Sequence, residues 1–367
     1  MRLQSLTLEQ FRNYDRFSVE FGEGDLQVFV GENGSGKTNL LEAVSLLALS
    51  KSFLPVDDED LIRWGTTYYR VTGQAVTDAG EPVTLEVISQ TEPRKAKACR
   101  KNDVRVPVTS FVGQLPVAIF LPQDMSLFSG PPAERRRFLD QILSQVSPDY
   151  LQTHLLYQRL LRQRNASLRA IAQGTARRED LEPWDQQLSL AGETITRMRL
   201  ELTETFNLTL ADEVRSLGEK WSEVTVVYRD SVRECAPGAP RGDAMRDALA
   251  YSLERDLQLQ STTVGPHRDD WTLTADGRPL TTSASRGQQR AAVLALLFLE
   301  ASYLELRRGE RPVILLDDIF SELDEAHQER VVAAFPRHQV LMTSVTPPPT
   351  PGTAKLWSVT PGAVTAT

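Results

Sequence analysis

Hydrophobic and polar residues alternate in some parts of the chain and recur with a helical period in others. Leu6 and Leu8 alternate with polar neighbours, and residues 26–30 (LQVFV) form a short apolar run, so both segments predict strands. Residues 66–121 are typical of strands separated by turns, with turn residues at 78–80 and 101–103. From about residue 131 to 218 the pattern becomes helical and rich in arginine.

The remaining third of the chain returns to an alternation of strands and helices. The pattern predicts a strand at 224–228, a Pro- and Gly-containing loop at 235–242, and a helix at 243–259. It then predicts a long apolar helix at 290–306, a buried strand at 313–316 and a final strand pair after the Pro-rich segment 346–352. The simplest arrangement is one α/β domain built from both chain ends (1–125 and 270–367), with a mainly helical lobe (126–269) inserted.

Length and composition narrow the class of protein. The chain has 367 residues, which favours two or three domains, and its 41% hydrophobic and 25% charged content excludes a disordered chain, a collagen and a coiled-coil rod. Two cysteines, Cys99 and Cys235, are too few for a disulfide framework or a Cys-rich zinc site and fit a reducing cytosol. No apolar stretch is long enough to span a membrane, so we expect a soluble cytoplasmic protein.

Net charge limits the way in which the chain could bind nucleic acid. With 41 Lys and Arg against 49 Asp and Glu, the formal net charge is −8. Affinity for DNA phosphates comes from lysine and arginine, so any DNA binding must use local basic patches.

A glycine-rich segment follows the first buried strand and matches the pattern G-x-x-x-x-G-K-[ST]. It consists of Gly31, Glu32, Asn33, Gly34, Ser35, Gly36, Lys37 and Thr38. Such a loop cradles phosphates with backbone N–H groups, Lys37 would reach the β- and γ-phosphates, and the Thr38 hydroxyl would bind Mg²⁺. The alternative is a chance Gly-rich turn, which the strand before it and the helix after it disfavour.

Two further sequence features fit a nucleotide site. Asp317 and Asp318 end a buried strand, where Asp317 would hold Mg²⁺ and Asp318 would orient or deprotonate the attacking water. Ser285, Gly287 and Gln288 stand at the start of the long apolar helix and predict a second anion site. The alternatives are two solvated aspartates capping a core strand, and an ordinary serine N-cap.

The order of these motifs resembles that of the ABC-type ATPases of the SMC class. In that class S-x-G-Q is the signature motif and S-E-L-D, here 321–324, is the D-loop. Segments 11–14 (FRNY), 130–140 (GPPAERRRFLD) and 265–270 (GPHRDD) are similar more closely to the RecF family of bacterial DNA repair proteins. The likeness runs from residue 11 to about 324.

The resemblance implies a function that the residues alone do not. It implies a head-to-tail homodimer that closes over two ATP molecules and Mg²⁺, with each ATP between Lys37 of one protomer and Ser285 of the other. Hydrolysis to ADP and phosphate would be slow and DNA-stimulated and would reopen the dimer. With RecO and RecR, such a clamp would bind double-stranded DNA or single/double-strand junctions at gaps and promote loading of RecA where single-strand-binding protein covers DNA. The associated processes are DNA replication, recombination, repair and the SOS response.

Some positions depart from, or extend, the pattern of the class. Arg286 occupies a signature position where transporter ATPases usually have Gly, and residues 341–344 lack the usual switch histidine. Gln123 stands at the Q-loop position, as a catalytic residue and Mg²⁺ ligand, although related sequences often have an acidic residue there. Arg12 would contact phosphate or stack on adenine; a surface ion pair is the alternative.

Three basic clusters are candidates for DNA contact through the phosphate backbone, without base readout. They are a hairpin cluster (Arg94, Lys95, Lys97, Arg100, Lys101, with Arg105 nearby), a triplet at a helix start (Arg135, Arg136, Arg137) and one helix face (Arg159, Arg162, Arg169). A solvated arginine face is the alternative for that helix. The helix dipole disfavours cations at a helix start. The presence of three arginines there is therefore explained either by acidic partners or by a function that needs positive charge.

Other readings remain open. His267, Asp269 and Asp270 form either a metal site or, as we prefer, a structural or signalling loop. The whole chain is alternatively the nucleotide-binding subunit of an ABC transporter, an SMC-like structural DNA scaffold, or a scaffold that does not hydrolyse ATP. Arg286 and the missing switch histidine disfavour the transporter, and the helical lobe is too short for SMC arms.

Overall fold

The computed structural model describes residues 1–22, 24–232, 241–323, 325–347 and 354–366. Within these ranges there are fifteen strands: β1 Arg2–Phe11, β2 Tyr14–Glu20, β3 Leu26–Val30, β4 Tyr68–Val76, β5 Pro82–Gln90, β6 Ala96–Lys101, β7 Val104–Val106, β8 Val117–Phe120, β9 Val224–Arg229, β10 Asp270–Ala275, β11 Arg278–Pro279, β12 Val313–Asp317, β13 Val340–Ser344, β14 Lys355–Thr360 and β15 Ala363–Ala366. The same ranges contain eleven α-helices: α1 Lys37–Leu49, α2 Val108–Phe111, α3 Pro132–Val146, α4 Pro148–Ala172, α5 Glu182–Asn207, α6 Leu210–Ser216, α7 Arg241–Tyr251, α8 Leu253–Leu259, α9 Leu280–Ser283, α10 Arg286–Arg308 and α11 Glu325–Ala334.

The chain divides into two compact units. The first combines both chain ends, Met1–Ser126 and Arg286–Thr367, and the second is the continuous segment Leu127–Ser285. The α/β fold class is confirmed. The observed second boundary differs from the predicted one, because residues 270–285 belong to the inserted unit: β10 pairs antiparallel with β9 there.

One sheet of the first unit is antiparallel, with strand order β2-β1-β4-β5-β6-β7. The alternation along β1 places Leu6 and Leu8 on the buried face, and Val71 and Leu85 continue that face on β4 and β5. Alternate residues of a strand point to opposite faces, so the intervening polar residues face solvent. The hydrophobic pattern of the sequence therefore determines which face of this sheet is buried.

The second sheet of this unit carries the parallel strands, in the order β15-β14-β3-β13-β12-β8. β3, β13, β12 and β8 are parallel neighbours, and every residue of β12 is buried, as expected for strands covered on both faces. Helix α1 contacts strands of both sheets, which explains why it is apolar around its circumference. The carboxyl ends of parallel strands lie at one edge, so the segments after β3, β8, β12 and β13 come close together.

The second unit consists mainly of helices α3 to α8 and a three-stranded sheet in the order β11-β10-β9. Its interior holds Trp271 and also two buried arginines, Arg164 and Arg199. Arg164 is paired with Asp185 and Asp256, and Arg199 with Asp140. The sequence pattern alone did not distinguish these interior arginines from exposed ones.

Two sequence predictions involve residues that the structure does not describe. The predicted loop at 235–242 lies outside the described residues except for Arg241 and Gly242, which begin α7. The D-loop residue Asp324 also lies outside them. Among the described helices, none combines the length and apolar character that crossing a membrane requires.

Candidate functional site

The glycine-rich loop connects β3 to α1 at the carboxyl edge of the parallel sheet. Gly36 precedes α1 with a φ of 106°, and a Cβ at this position would lie 2.5 Å from Nδ2 of Asn13. At Gly31 a Cβ would lie 2.3 Å from the carbonyl oxygen of Val359. Only glycine fits both places, and the resulting tight turn leads directly into a helix N-terminus, which favours anions.

Lys37 is folded into this loop. Its ammonium donates hydrogen bonds to the carbonyl oxygens of Gly31 (2.8 Å) and Glu32 (2.9 Å). Burial lowers the pKa of Lys37, and the negative charges of Asp318 and Asp317 act in the opposite direction. One cation and two carboxylates therefore share this part of the sheet edge.

Thr38 and Asp317 come together although 279 residues separate them in sequence. The Thr38 hydroxyl lies 3.0 Å from both carboxylate oxygens of Asp317, and the Thr343 hydroxyl donates to Oδ1 of Asp317 at 2.7 Å. Burial raises the pKa of Asp317, while the hydrogen bonds from Thr343 and Thr38 partly offset this. Hydroxyl and carboxylate oxygens are the donor set that Mg²⁺ prefers, so this pair fits the predicted ion.

Asp318 follows in a left-handed conformation, with a φ of 47°. Its backbone N–H donates to the hydroxyl of Thr343 at 2.9 Å. Thr343 therefore supports both aspartates, a role that the sequence did not indicate. Its place on β13, between β3 and β12, is a consequence of strand order.

Residues of the FRNY segment support the glycine-rich loop. Asn13 donates from Nδ2 to the carbonyl oxygen of Ser35 (3.2 Å) and accepts from Asn39 (2.8 Å). The buried Tyr14 donates its hydroxyl to the carbonyl oxygen of Gly36 (3.1 Å). The resemblance to the family drew attention to this segment, but only the structure shows that it contacts the glycine-rich loop.

Arg12 is held by a carboxylate of α1. Its Nε and Nη2 donate to the two carboxylate oxygens of Glu42 at 2.8 and 2.7 Å, and Nη1 donates to the carbonyl oxygen of Asp60. The hydrogen bond with Glu42 raises the pKa of Arg12, against the effect of burial. Since Glu42 is fully buried, Arg12 has a structural partner, and its contact with nucleotide stays a prediction.

Gln123 lies just beyond β8, in the 3₁₀ turn Pro122–Ser126. Its side chain is exposed, and β8 is the parallel neighbour of β12, which ends at Asp317. The predicted Q-loop residue thus follows the strand adjacent to the one that carries the aspartates. Its roles in catalysis and Mg²⁺ binding stay predictions.

The predicted signature residues stand at the start of α10. Ser285 directly precedes the helix, and Gly287 and Gln288 lie in its first turn. Ser285, Arg286 and Gly287 are exposed to solvent. Their exposure leaves this helix start accessible to a second molecule.

The hairpin cluster does not form one basic surface. Arg100 and Arg105 are opposite each other on the solvent face, where Arg100 also pairs with Glu86. Lys97 points to the other face and donates to Asp58, and Lys101 donates to Gln114. The last two members, Arg94 and Lys95, are exposed, and Lys95 pairs with Glu59.

The arginine triplet at the start of α3 is divided in the same way. Arg135 is buried, donates to both carboxylate oxygens of Asp270 and donates to the carbonyl oxygens of Leu127, Phe128 and Gly130. This geometry opposes the prediction that Arg135 contacts DNA, because its donors serve the protein interior. Arg136 and Arg137 are partly exposed, so they remain candidates.

The third cluster lies on α4 as the helical spacing predicts. Arg159, Arg162 and Arg169 are exposed, and Leu160 and Leu168 on the opposite side are buried. These arginines are therefore accessible to solvent. Their exposure fits both interpretations, a solvated helix face and a DNA contact.

The GPHRDD segment has structural partners for each of its polar groups. Asp269 accepts hydrogen bonds from Ser231 and Tyr228, Asp270 pairs with Arg135, and His267 contacts Tyr157 and Thr262. Within the described parts of the chain, no group of three or more His, Cys, Asp or Glu side chains could hold a metal ion. These contacts are typical of a structural loop in the second unit, and the choice of that interpretation over a metal site stays a prediction.

Comparisons with known proteins place this geometry in a family. The family model described as the RecF/RecN/SMC N terminal domain matches residues 2–362. DNA replication and repair protein RecF of Heliobacterium modesticaldum is 36% identical over 91% of this chain and 89% of its own length. The RecF protein of Moorella thermoacetica is 39% identical over 89% of this chain and 85% of its own length.

Solved structures agree with the sequence comparison. A structure of the recombination mediator protein RecF with ATP, described as part of the RecFOR pathway, has a TM-score of 0.90 and 26% identity, covering 100% of this chain and 97% of that one. An Smc head bound to a domain of ScpA has a TM-score of 0.55 and 14% identity, covering 100% of this chain and 97% of its own, which indicates the shared fold alone. The family model, the relatives that are more than 30% identical over most of the chain and the fold together show that the chain belongs to the RecF family of SMC-class ATPases.

Proposed function

We propose that the chain is an ATP-dependent DNA-binding clamp of recombinational repair in the cytoplasm, with a slow, DNA-stimulated ATPase activity. The observation that carries this proposal is the meeting of Lys37, Thr38 and Asp317 at one sheet edge. A loop that cradles phosphates and a hydroxyl–carboxylate pair that suits Mg²⁺ are the two halves of a P-loop ATPase site.

Each side chain at this edge has a distinct proposed task. Lys37 would exchange its carbonyl contacts for the β- and γ-phosphate oxygens, and Thr38 with Asp317 would hold Mg²⁺, whose charge stabilises the phosphates. Asp318 would orient and deprotonate the attacking water, with Gln123 nearby as a further contact to water or the ion. Thr343 would position both aspartates, since its hydroxyl already bonds to each of them.

Dimerisation would complete the site. The exposed helix start with Ser285, Gly287 and Gln288 offers N–H groups and a hydroxyl to an anion. In the proposed head-to-tail dimer these groups bind the γ-phosphate held by Lys37 of the partner. Loss of that phosphate on hydrolysis removes the bridging charge and opens the dimer.

DNA would lie against the exposed arginines of the clamp. Arg100, Arg105, Arg137 and the α4 face (Arg159, Arg162, Arg169) are accessible, and dimerisation would double their positive field. Because these contacts are to phosphates, binding should weaken steeply with salt. The solved relatives are described as members of the RecFOR pathway, which supports RecO and RecR as partners. Promotion of RecA loading at gaps covered by single-strand-binding protein is part of the proposal.

Sedimentation velocity with and without ATP and DNA tests the proposal. We expect the wild type to be monomeric alone, dimeric with ATP and DNA-bound as the dimer. Lys37→Arg should stay monomeric, because a planar guanidinium does not replace an ammonium folded into the loop. Lys220→Arg, at an exposed position of the second unit, is the matched control and should behave as wild type. A wild type that remains monomeric with ATP and DNA would contradict the proposal.

A further inference from the structure

The second unit contains a cavity that the ATPase mechanism does not use. It has a volume of about 230 Å³ and lies between α3, α4, α5 and the loop at Pro266 and His267. Ala133, Leu161 and Ile195 form its apolar part. A space of this volume holds several water molecules or one small ligand.

Two arginines of α3 line the cavity and have N–H donors that are not used in hydrogen bonds within the described parts of the chain. Arg136 donates from Nη1 to the carbonyl oxygen of Asp269 at 2.7 Å, its one hydrogen bond among the residues that the structure describes. Arg137 makes no hydrogen bond or ion pair with any part of the chain that the structure describes. Burial lowers the pKa of Arg136, and the neighbouring charge of Arg199 adds to this effect, while the charges of Asp270, Asp140 and Asp269 act in the opposite direction.

The acidic groups near these arginines are already engaged. Asp140, the acidic side chain in the cavity lining, accepts from Arg199 (2.7 Å) and from the hydroxyl of Tyr150 (2.5 Å). Asp270 is paired with Arg135, and Asp269 accepts hydrogen bonds from Ser231 and Tyr228. The charge of Arg199 is thus balanced by Asp140, and the charges of Asp270, Asp140 and Asp269 act on Arg136, whereas Arg137 has no ion pair with any part of the chain that the structure describes.

The lining also contains two histidines, His154 and His267, and His154 lies 3.9 Å from Asp140. Burial lowers the pKa of His267 to about 4, so its ring is uncharged at neutral pH. Its Nε2 is 3.0 Å from the carbonyl oxygen of Thr262 and its Nδ1 is 2.7 Å from the hydroxyl of Tyr157. This arrangement makes Nε2 the donor and Nδ1 the acceptor and rigidifies the wall. Gln158 adds an amide to the lining.

We propose that this cavity binds a terminal phosphate group, held by Arg136 and Arg137. A phosphate monoester carries a charge of about −1.5 to −2 at neutral pH, which matches two arginines, whereas an internal phosphodiester carries only one negative charge. Guanidinium groups bind such oxygens in bidentate fashion. A terminal phosphate also projects from its carrier and can enter a concave site. The carrier is either the end of a DNA strand or a small phosphorylated molecule.

The test separates this cavity from the phosphate-binding loop of the first unit. Binding of a short single-stranded oligonucleotide with a terminal phosphate is compared with that of the same strand ending in a hydroxyl, by fluorescence anisotropy without ATP. Each measurement is made in the wild type and in Lys37→Ala, which removes the cation of the other site. Thermal unfolding with increasing inorganic phosphate is measured on the same proteins.

We expect the phosphorylated strand to bind about tenfold more tightly or better, in both backgrounds, because hydrogen bonds from a guanidinium group to a charged oxygen are stronger than those between neutral groups. Arg137→Gln should abolish this preference without changing stability, because Arg137 has no partner to lose. Arg215→Gln is the control, because it removes an exposed arginine paired with Asp212 on α6. This variant should keep the preference for the phosphorylated strand. Stabilisation by inorganic phosphate that depends on Arg137, without a strand-end preference, assigns the cavity to a small phosphorylated molecule.

The proposal is overturned if neither probe distinguishes Arg137→Gln from the wild type. It is also overturned if the effects disappear in Lys37→Ala, because the phosphate then binds at the loop. Both measurements are made without ATP, so they remain informative if the proposed ATP-dependent dimer does not form.

Discussion

The buried ion pair between Arg12 and Glu42 allows a structural role to be separated from a role in nucleotide binding. Glu42 is fully buried and accepts hydrogen bonds from Arg12 and from the hydroxyl of Ser52 (2.6 Å). Arg12→Ala would leave its carboxylate buried with only Ser52 as a side-chain donor. Breaking a buried pair in this way costs about 3–5 kcal/mol. Because 21% of the Arg12 side chain is exposed, we expect the lower end, about 3 kcal/mol.

A second substitution should recover much of this loss. In Arg12→Ala/Glu42→Gln the buried group is neutral and keeps an acceptor for Ser52, so we expect at least half of the lost stability to return. Urea unfolding of the single and double variants measures the two steps. Arg16→Ala, an exposed arginine of β2, is the control and should change stability by no more than about 0.5 kcal/mol.

Binding of ATP to the double variant then tests the predicted contact of Arg12 with nucleotide. If Arg12 touches phosphate or adenine, affinity stays low after stability returns; if Arg12 is only structural, affinity returns as well. A loss below about 1 kcal/mol in Arg12→Ala, or no recovery with Glu42→Gln, would refute the reasoning from the buried pair.

Four further substitutions test the rest of the site. Asp318→Asn should trap a long-lived ATP-bound dimer on DNA, and rapid release in a filter-binding chase would exclude its role in activating water. Ser285→Arg should leave ATP binding by the monomer intact and abolish dimerisation, so normal dimers by light scattering would argue against the signature contact. Thr343→Val removes the hydroxyl that bonds Asp317 and Asp318, so hydrolysis should fall about tenfold or more, and stability should fall by about 1–3 kcal/mol because buried polar groups lose their partner. Asp317→Asn should abolish hydrolysis yet raise stability at pH 7, because burial raises the pKa of Asp317 and its ionised form opposes folding. That gain should shrink as the pH falls toward 4, where the wild-type carboxyl also becomes protonated; a gain that is equal at both pH values would contradict this explanation.

The positions of the DNA candidates illustrate what a sequence pattern cannot decide. Arg135, Arg136 and Arg137 are consecutive and chemically identical, yet Arg135 is buried against Asp270 and Arg137 faces a cavity. Successive helical residues point about 100° apart, so one of three neighbours can enter the interior while the others do not. Which one does so depends on residues more than a hundred positions away. The same holds in β6, where Lys97 and Arg100 lie on opposite faces.

Local chemistry was enough to predict the phosphate loop and the buried strands beside it, and the order of the motifs carried the resemblance to the family. A tight Gly-rich turn, an apolar strand and the lysine that follows are close together in sequence. Their residue types and spacing can therefore be recognised in the sequence itself. Tertiary structure alone decided that Thr343 supports Asp317 and Asp318, that Glu42 holds Arg12, and that Arg137 of α3 faces a cavity without an ion pair among the described residues. Those pairings arise because strand order and helix packing bring distant residues within hydrogen-bonding range, and a linear pattern does not record such distances.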